Sequence, residues 1–398
     1  MNDLEIIAQP EIILLNMKAT DVKKIFINTL PTTKTAGGIL TFLLELLYSF
    51  GNLNNPDLHY CLICSEINES LYKPLLKYPN FSITTVKVDN RNAIKRIFYE
   101  QFILPKILNT EKNAALLNIC NIANFRCKIP QVTIIQAQLS IAELRKGLPK
   151  EYVSIGLLHK IYYDFLLERS LRRSDKTIAI SNFMVQYLQK YKNKIAVIHE
   201  GVNFDSFTAI TNHVTTGSKK YILSLSTLFP HKNMNKVIEA FSIFIKRTKL
   251  DYDLMIVGKD PDGKQQPKLR ELAKTLGVED KVIFKGWVET EEIPGLYANA
   301  SVFLYLSSME FFGLPVLEAM ASGTPVIAGN KMSVPEIVNN AGILVEPEDT
   351  QTVSIHIENI LTNDTYKQSL VNLGRENIKN FDWKFTGEKF EELFLNLN

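Results

Sequence analysis

From residue 220 to residue 347, short apolar runs alternate with amphipathic stretches, and no other feature constrains the fold as tightly. The runs are KYILSLS (220–226), YDLMIVGK (252–259), KVIFKGW (281–287), ASVFLYLSS (300–308), TPVIAGN (324–330) and GILVEP (342–347). Each is short, rich in Val, Ile and Leu, and lacks the polar–apolar alternation of a half-exposed strand, as expected of strands buried on both faces. Between them NKVIEAFSIFIKRT (235–248), KLRELAKTL (268–276) and LPVLEAMASG (314–323) repeat their apolar residues every three to four positions, which predicts helices. Strand and helix in strict alternation build a parallel sheet with helices on both sides.

The first half repeats the pattern more loosely. KKIFINTLP (23–31) is a strand, TTKTAGG a loop and ILTFLLELLYSF (39–50) a helix. HYCLICS (59–65), FSITTVKV (81–88), QVTIIQAQ (131–138), KTIAIS (176–181) and KIAVIHEG (194–201) are further strands, and IKRIFYEQFILPKIL (94–108) has helical character. A chain of 398 residues suits two domains. The polar stretch VNFDSFTAITNHVTTGSK (202–219) has no apolar period and marks the boundary. The expected organisation is an α/β amino-terminal domain over 1–201, a linker over 202–219, a second α/β domain over 220–375, and a terminal helix in 376–398 that packs back on the first domain. Ligands of open α/β sheets bind beyond the carboxyl ends of the strands, so the cleft between two such domains is the expected site.

Charge is uneven. Residues 1–200 hold 25 Lys and Arg against 17 Asp and Glu, a net +8, and the remainder is net −5. This suits a first half that meets an anionic partner, or ordinary variation between domains. The four cysteines make no disulfide scaffold, the first residues have no basic signal-peptide region, and no run is long enough to cross a membrane. A soluble, cytoplasmic chain is expected. Nucleic-acid binding is not, because no recognised module accompanies the charge.

Function is concentrated in SSMEFFGLPVLEAMASGTPVI (307–327). Pro315 suits the first turn of a helix, where its missing N–H is no loss. Gly313 lets the backbone turn and approach a ligand, and the N–H groups of such a helix start attract anions. Glu310 then lies on the loop at the strand's carboxyl end and Glu318 one turn into the helix. Carboxylates beside a phosphate site repel the phosphate but accept well from hydroxyls. A ligand with phosphate at its centre and hydroxyls at both ends is a sugar nucleotide. The competing reading makes Glu318 a helix-dipole residue and Glu310 a solvated loop residue.

SSMEFFGLPVLEAMASGTPVIAGNKMSVPEIVNNAGILVEPED (307–349), with its Glu310-x7-Glu318 pair, resembles family 4 of the retaining glycosyltransferases, whose fold is GT-B: two Rossmann-like domains with parallel sheets facing across a cleft. YILSLSTLFPHKNMNKVIEAF (221–241), LMIVGK (254–259), FKGWVETEEIPGLYANASVFLYLS (284–307), IAISNFMVQYL (178–188) and IHEGVNFDSF (198–207) are similar in the same order. The resemblance is dense in the second half, mannosyltransferase-like in places, and patchy in the first. It implies a donor in the second domain and an acceptor in the first. By position, Glu318 holds the ribose, Glu310 a hydroxyl of the transferred sugar, and Lys232 the departing diphosphate, whose growing charge an ammonium stabilises. Thr227, His231, Phe312, Leu314 and Pro315 border the donor. Gly37 and Gly38 approach the diphosphate from the first domain, and the backbone around Trp287 and Val288 flanks the base. No metal and no cofactor beyond the nucleoside-diphosphate sugar is implied.

Four residues, at three places, depart from the family pattern. Phe311 replaces a glycine, Gln136-Ala137 replace a His-Asp pair, and His231 replaces an arginine. An imidazole with its ordinary pKa of about 6.5 is only partly charged at neutral pH, which predicts a phosphate grip that is either weaker or pH-dependent. Asp251-Tyr-Asp253 and Asp260-Pro-Asp262 look like metal motifs, but two carboxylates are few for a hard cation. Cys61 and Cys64 fall on opposite faces of one strand, where buried small hydrophobes are expected rather than zinc ligands. Ser333-Val-Pro-Glu336 reads as a capping box. RNAIKRIFYEQFILPKILNTEK (91–112) mixes Arg, Lys, Phe and Tyr, which suits either a face on the inner surface of a membrane or a core helix with a solvated basic side. The expected function is a retaining, metal-independent hexosyltransferase acting on a glycan or lipid-linked glycan in cell-surface polysaccharide synthesis. The alternatives are a catalytically degenerate sugar-nucleotide-binding partner of another transferase, or another GT-B enzyme such as a nucleotide-sugar epimerase.

Overall fold

The computed structural model describes residues 22–33, 38–136, 157–208 and 219–397. Two parallel sheets form. The first contains β1 (Lys23–Asn28), β2 (Leu58–Ser65), β3 (Phe81–Val86), β4 (Ala114–Asn118), β5 (Gln131–Ile135), β6 (Lys176–Ala179) and β7 (Ile195–Val197), in the order β3-β2-β1-β4-β5-β6-β7. The second contains β8 (Tyr221–Leu225), β9 (Asp253–Val257), β10 (Val282–Gly286), β11 (Val302–Tyr305), β12 (Val326–Gly329) and β13 (Ile343–Val345), in the order β10-β9-β8-β11-β12-β13. Because every strand pair is parallel, the carboxyl ends of each sheet share one edge.

Strand β4 is an element that the sequence reading lacks, yet it pairs with β1 and β5 in the middle of the first sheet. Its residues Ala-Ala-Leu-Leu-Asn include no β-branched or aromatic side chain, so burial rather than intrinsic preference makes it a strand. On β2, Cys61 packs with Phe26, Ile63 and Leu104 on one face, while Cys64 packs with Ile27 and Leu62 in the core of the other. Both are free and buried.

Helix Asp364–Ile378 runs through residue 375, and the chain turns toward the first domain at Lys379–Phe381. Helix Trp383–Leu395 then lies along helix Gly38–Leu53 of the first domain. Ser49 Oγ donates to the Trp383 carbonyl at 2.7 Å, and the Tyr60 hydroxyl donates to Glu391 at 2.7 Å. Phe390 and Phe394 meet the Phe50 ring at 6.2 and 6.0 Å. The start of the expected linker is anchored too: the Val202 amide donates to Phe381 O at 2.8 Å. Residues 209–218 lie outside the described residues.

A second tie joins the domains. Glu336, in the second, accepts from His199 Nε2 at 2.6 Å, from Asn182 Nδ2 at 2.7 Å, and from the amides of Asn182 and Phe183 at 2.9 and 3.1 Å. This corrects the capping-box reading. Ser333 gives its hydroxyl instead to the carbonyls of Glu310 and Phe312, at 2.9 and 3.2 Å. Both halves of the motif make long-range contacts, which a four-residue pattern cannot reveal.

Candidate active site

Neighbouring strands β8 and β11 deliver the two central residues. After β8 the chain makes a 3-10 turn, Pro230–Lys232, and Asn233 adopts a left-handed conformation (φ 54°) before helix Met234–Thr248 begins. Asn233 Nδ2 donates to Leu306 O at 2.8 Å and to Ser308 Oγ at 2.5 Å, pinning this turn to the end of β11. Lys232 Nζ therefore reaches Glu310 Oε2 at 2.5 Å and the Tyr305 hydroxyl at 3.1 Å. Tyr305 also donates to Glu310 Oε2. Among the described residues the other carboxylate oxygen takes one bond, of 3.3 Å, from the Phe311 amide. Burial pushes the Glu310 carboxyl up, but Lys232, Tyr305 and that amide outweigh it and hold the pKa below the ordinary value. The same surroundings drive the Tyr305 hydroxyl well above its usual range.

Gly313 has φ 108° and precedes helix Leu314–Ala321, with Pro315 in the first turn. Among the described residues, the amides of Phe312, Gly313 and Leu314 make no hydrogen bond to the protein. Three open N–H groups at a helix start, beside an ammonium, form an anion cradle. Glu318 accepts from the Tyr297 hydroxyl at 3.0 Å. Burial lifts its carboxyl to about 7, against the pull of that bond, so it titrates near neutrality.

His231 departs from expectation. Burial, with Lys232 next to it, lowers its pKa to about 4 despite the opposing pull of Glu310. The imidazole, stacked on Phe229 at 5.6 Å, is therefore neutral at physiological pH and cannot give a pH-dependent grip there. Its carbonyl accepts from the Ser308 amide at 2.8 Å.

The remaining expected residues divide. Thr227 is half-buried just beyond β8. Phe312 and Val288 are buried, so only their backbone can meet a ligand. The Phe312 ring packs against His199 and Phe381, both at 6.0 Å. The Trp287 ring is exposed, with Lys259 Nζ 4.9 Å from its centre, at the mouth of a cavity of ≈ 670 Å³ that Gln266 and Arg270 also line. Gly38 opens helix Gly38–Leu53 and is exposed. Gly37 lies outside the described residues, as does Ala137. Gln136 follows β5, with its side-chain oxygen buried and unpaired among the described residues.

Along the sheet edge, then, lie Trp287 after β10, Lys259 after β9, Thr227 to Lys232 after β8, and Tyr305 to Glu318 from β11. Gly258 makes this edge possible. A side chain there would stand 1.8 Å from Ser226 O. The Asp motifs have local work. Asp260 and Asp262 accept from the Gln266 and Lys264 amides at 2.8 and 3.1 Å, and Asp251 and Asp253 pair with Lys281 and Lys219 at 2.8 and 2.7 Å. Sequence reasoning missed Tyr297, Tyr305 and Asn233, and misread Ser333. A tyrosine closing a buried strand just before a functional loop was the available signal for Tyr305.

Comparison with known proteins fits this geometry. Residues 206–377 match the family model for glycosyl transferases group 1. The O-antigen chain mannosyltransferase B of Escherichia coli is 34% identical over 164 residues, 41% of this chain and 42% of that protein's length. The O-antigen chain mannosyltransferase RfbU of Salmonella typhimurium is 25% identical over 82% of this chain and 88% of its own. Among solved structures, Anabaena Alr3699/HepE in complex with UDP superposes with a TM-score of 0.70 over 94% of this chain and 100% of that one, at 17% identity.

Proposed function

We propose that this chain, whose residues 206–377 match the family model for glycosyl transferases group 1 and whose fold is GT-B, is a retaining, metal-independent hexosyltransferase. It moves a hexose, mannose by analogy with its relatives, from a nucleoside diphosphate to a glycan or lipid-linked glycan in cell-surface polysaccharide synthesis. The observation that carries this reading is the Lys232–Glu310–Tyr305 cluster beside three open helix-start amides. The diphosphate lies on those amides. As the glycosidic bond breaks, charge grows on its oxygens, and Lys232 stabilises it without the reorganisation that water needs. Glu310 holds Lys232 through one oxygen and leaves the other for a sugar hydroxyl. Glu318, ionising near neutrality, accepts from the ribose, and the base lies toward Trp287. Lysine and amides supply the positive charge that a divalent cation supplies elsewhere.

Among the described residues no helix is long and apolar enough to cross a membrane. A lipid-linked acceptor is met instead at the first domain's surface, where Ile94, Phe98 and Phe102 are 82%, 54% and 41% exposed at four-residue spacing. Phe98 stacks on Phe102 at 5.0 Å, and Arg126 lies 4.3 Å over the Phe102 ring. Exposed apolar side chains with Arg126 over them, and with Lys95 and Arg96 on the same helix, suit the inner face of an anionic bilayer. Incubation with radiolabelled sugar nucleotides in EDTA, with a lipid-linked glycan as acceptor, tests the reading. Transfer with the anomeric configuration kept supports it; inversion, or a need for added divalent metal, sinks the mechanism.

A further inference from the structure

A carboxyl that the mechanism above does not use stands at the hinge. Glu200 follows β7, and the chain on both sides of it is fixed. The Ile198 amide donates to Ala179 O at 3.1 Å, and the Val202 amide to Phe381 O at 2.8 Å. Thr386 Oγ1 donates to the His199 carbonyl at 2.9 Å, and the His199 side chain is tied to Glu336 at 2.6 Å. The His199 ring also rests against Phe312, two residues from Glu310. The segment that carries Glu200 is thus clamped onto the loop that carries Glu310, yet Glu200 itself makes no hydrogen bond or ion pair among the described residues.

The Glu200 carboxyl is half-buried, beside the loop that carries Glu310, and with no protein partner among the described residues it is open to the hydroxyls of a ligand. From this placement we infer that Glu200 is a further sugar-binding residue, which contacts the hydroxyls of the transferred hexose from the hinge side, opposite Glu310. The inference rests on the proposed donor site. The groups around Glu200 fix its protonation. Glu310, itself paired with Lys232, acts on it electrostatically, and the neighbouring His199 is paired with Glu336. Glu45 reaches Asn203 at 3.5 Å, and Asp382 bridges Val202. Burial, then the Glu310 charge, raises the Glu200 carboxyl to about 8. It is therefore neutral at physiological pH and can both donate and accept, as a hydroxyl requires. Glu310, charged, can only accept.

Two measurements test the inference. The first is calorimetric affinity of the wild type, Glu200→Ala and Glu200→Gln for GDP-mannose and UDP-glucose, each beside its sugar-free diphosphate, GDP or UDP. Glu200→Ala weakens the sugar nucleotide that the wild type binds by about tenfold and leaves the sugar-free diphosphate within about twofold, while Glu200→Gln recovers most of the loss. Equal loss for both ligands marks a structural role and overturns the inference, as does a Glu200→Ala variant that binds the sugar nucleotide at wild-type strength. A wild type that binds none of the four overturns the donor site itself, and this inference with it. The second is melting temperature against pH. A carboxyl whose folded pKa is raised costs stability as pH climbs from its unfolded value toward the folded one, so Glu200→Gln gains on the wild type between pH 5 and 8. A gain independent of pH contradicts the neutral carboxyl.

Discussion

Lys232→Met isolates the electrostatics of the site. The substitution keeps the length and the apolar stem but removes the charge that faces Glu310. The two side chains are 14% and 16% exposed. Removing one member of a buried pair costs about 3–5 kcal/mol, because the survivor is left desolvated and unpaired. With this residual exposure the lower end, about 3 kcal/mol, is expected. For a domain of this size that is a fall of about 6–12 °C in melting temperature. The loss depends on pH. In the wild type Glu310 lies below its ordinary pKa, so its contribution is full above the unfolded pKa and disappears in acid. Without Lys232 burial dominates, the folded pKa moves above the unfolded one, and Glu310 costs stability as pH rises. The deficit of Lys232→Met is therefore larger at pH 8 than at pH 5. Adding Glu310→Gln removes the orphaned charge and recovers at least half of it, a coupling of about 1.5 kcal/mol or more. Chemical denaturation of the four proteins at both pH values is the assay. Additivity within about 0.5 kcal/mol, or a deficit that shrinks with pH, refutes the reasoning.

Three other perturbations follow from particular contacts. Glu318 titrates near 7, and if it holds the ribose hydroxyls as a carboxylate, as proposed, donor binding at pH 7 releases about half a proton; calorimetry in buffers of different ionisation enthalpy measures it, and Glu318→Gln abolishes it. Glu336→Ala removes the acceptor of four hydrogen bonds between the domains and costs about 2–3 kcal/mol; an unchanged denaturation midpoint would show that this tie does not form in solution. Gly201→Ala puts a methyl 2.5 Å from the Trp383 amide nitrogen and wedges the terminal helix off the hinge, for about 2–3 kcal/mol; a melting temperature within a degree of wild type would be the wrong result for this packing.

The second domain was legible because its strands are apolar on both faces, and a buried parallel strand writes its burial as an uninterrupted run. LPVLEAM could be placed as a helix start from Pro315 and Gly313 alone, since each signals a backbone state. The first domain was harder to read. AALLN suits a helix as well as a strand, and only its neighbours in the sheet decide. Roles that depend on distant partners were misread or missed. Glu336 serves residues more than a hundred positions away, and the protonation of His231 is set by burial that composition cannot show. Tyr305 and Tyr297 look like ordinary core residues until the loop carrying Glu310 and the helix carrying Glu318 bring carboxylates to their hydroxyls.

The central claim is that the cluster at the end of β11 holds a nucleoside-diphosphate sugar without a metal. Melting curves of the wild type and Lys232→Ala across a panel of sugar nucleotides, all in EDTA, test it most directly. A donor present at a hundred times its dissociation constant adds about 2.7 kcal/mol to the wild type, a shift that disappears in Lys232→Ala. A panel with no shift, a shift that requires added divalent metal, or one that persists without Lys232 would contradict the account.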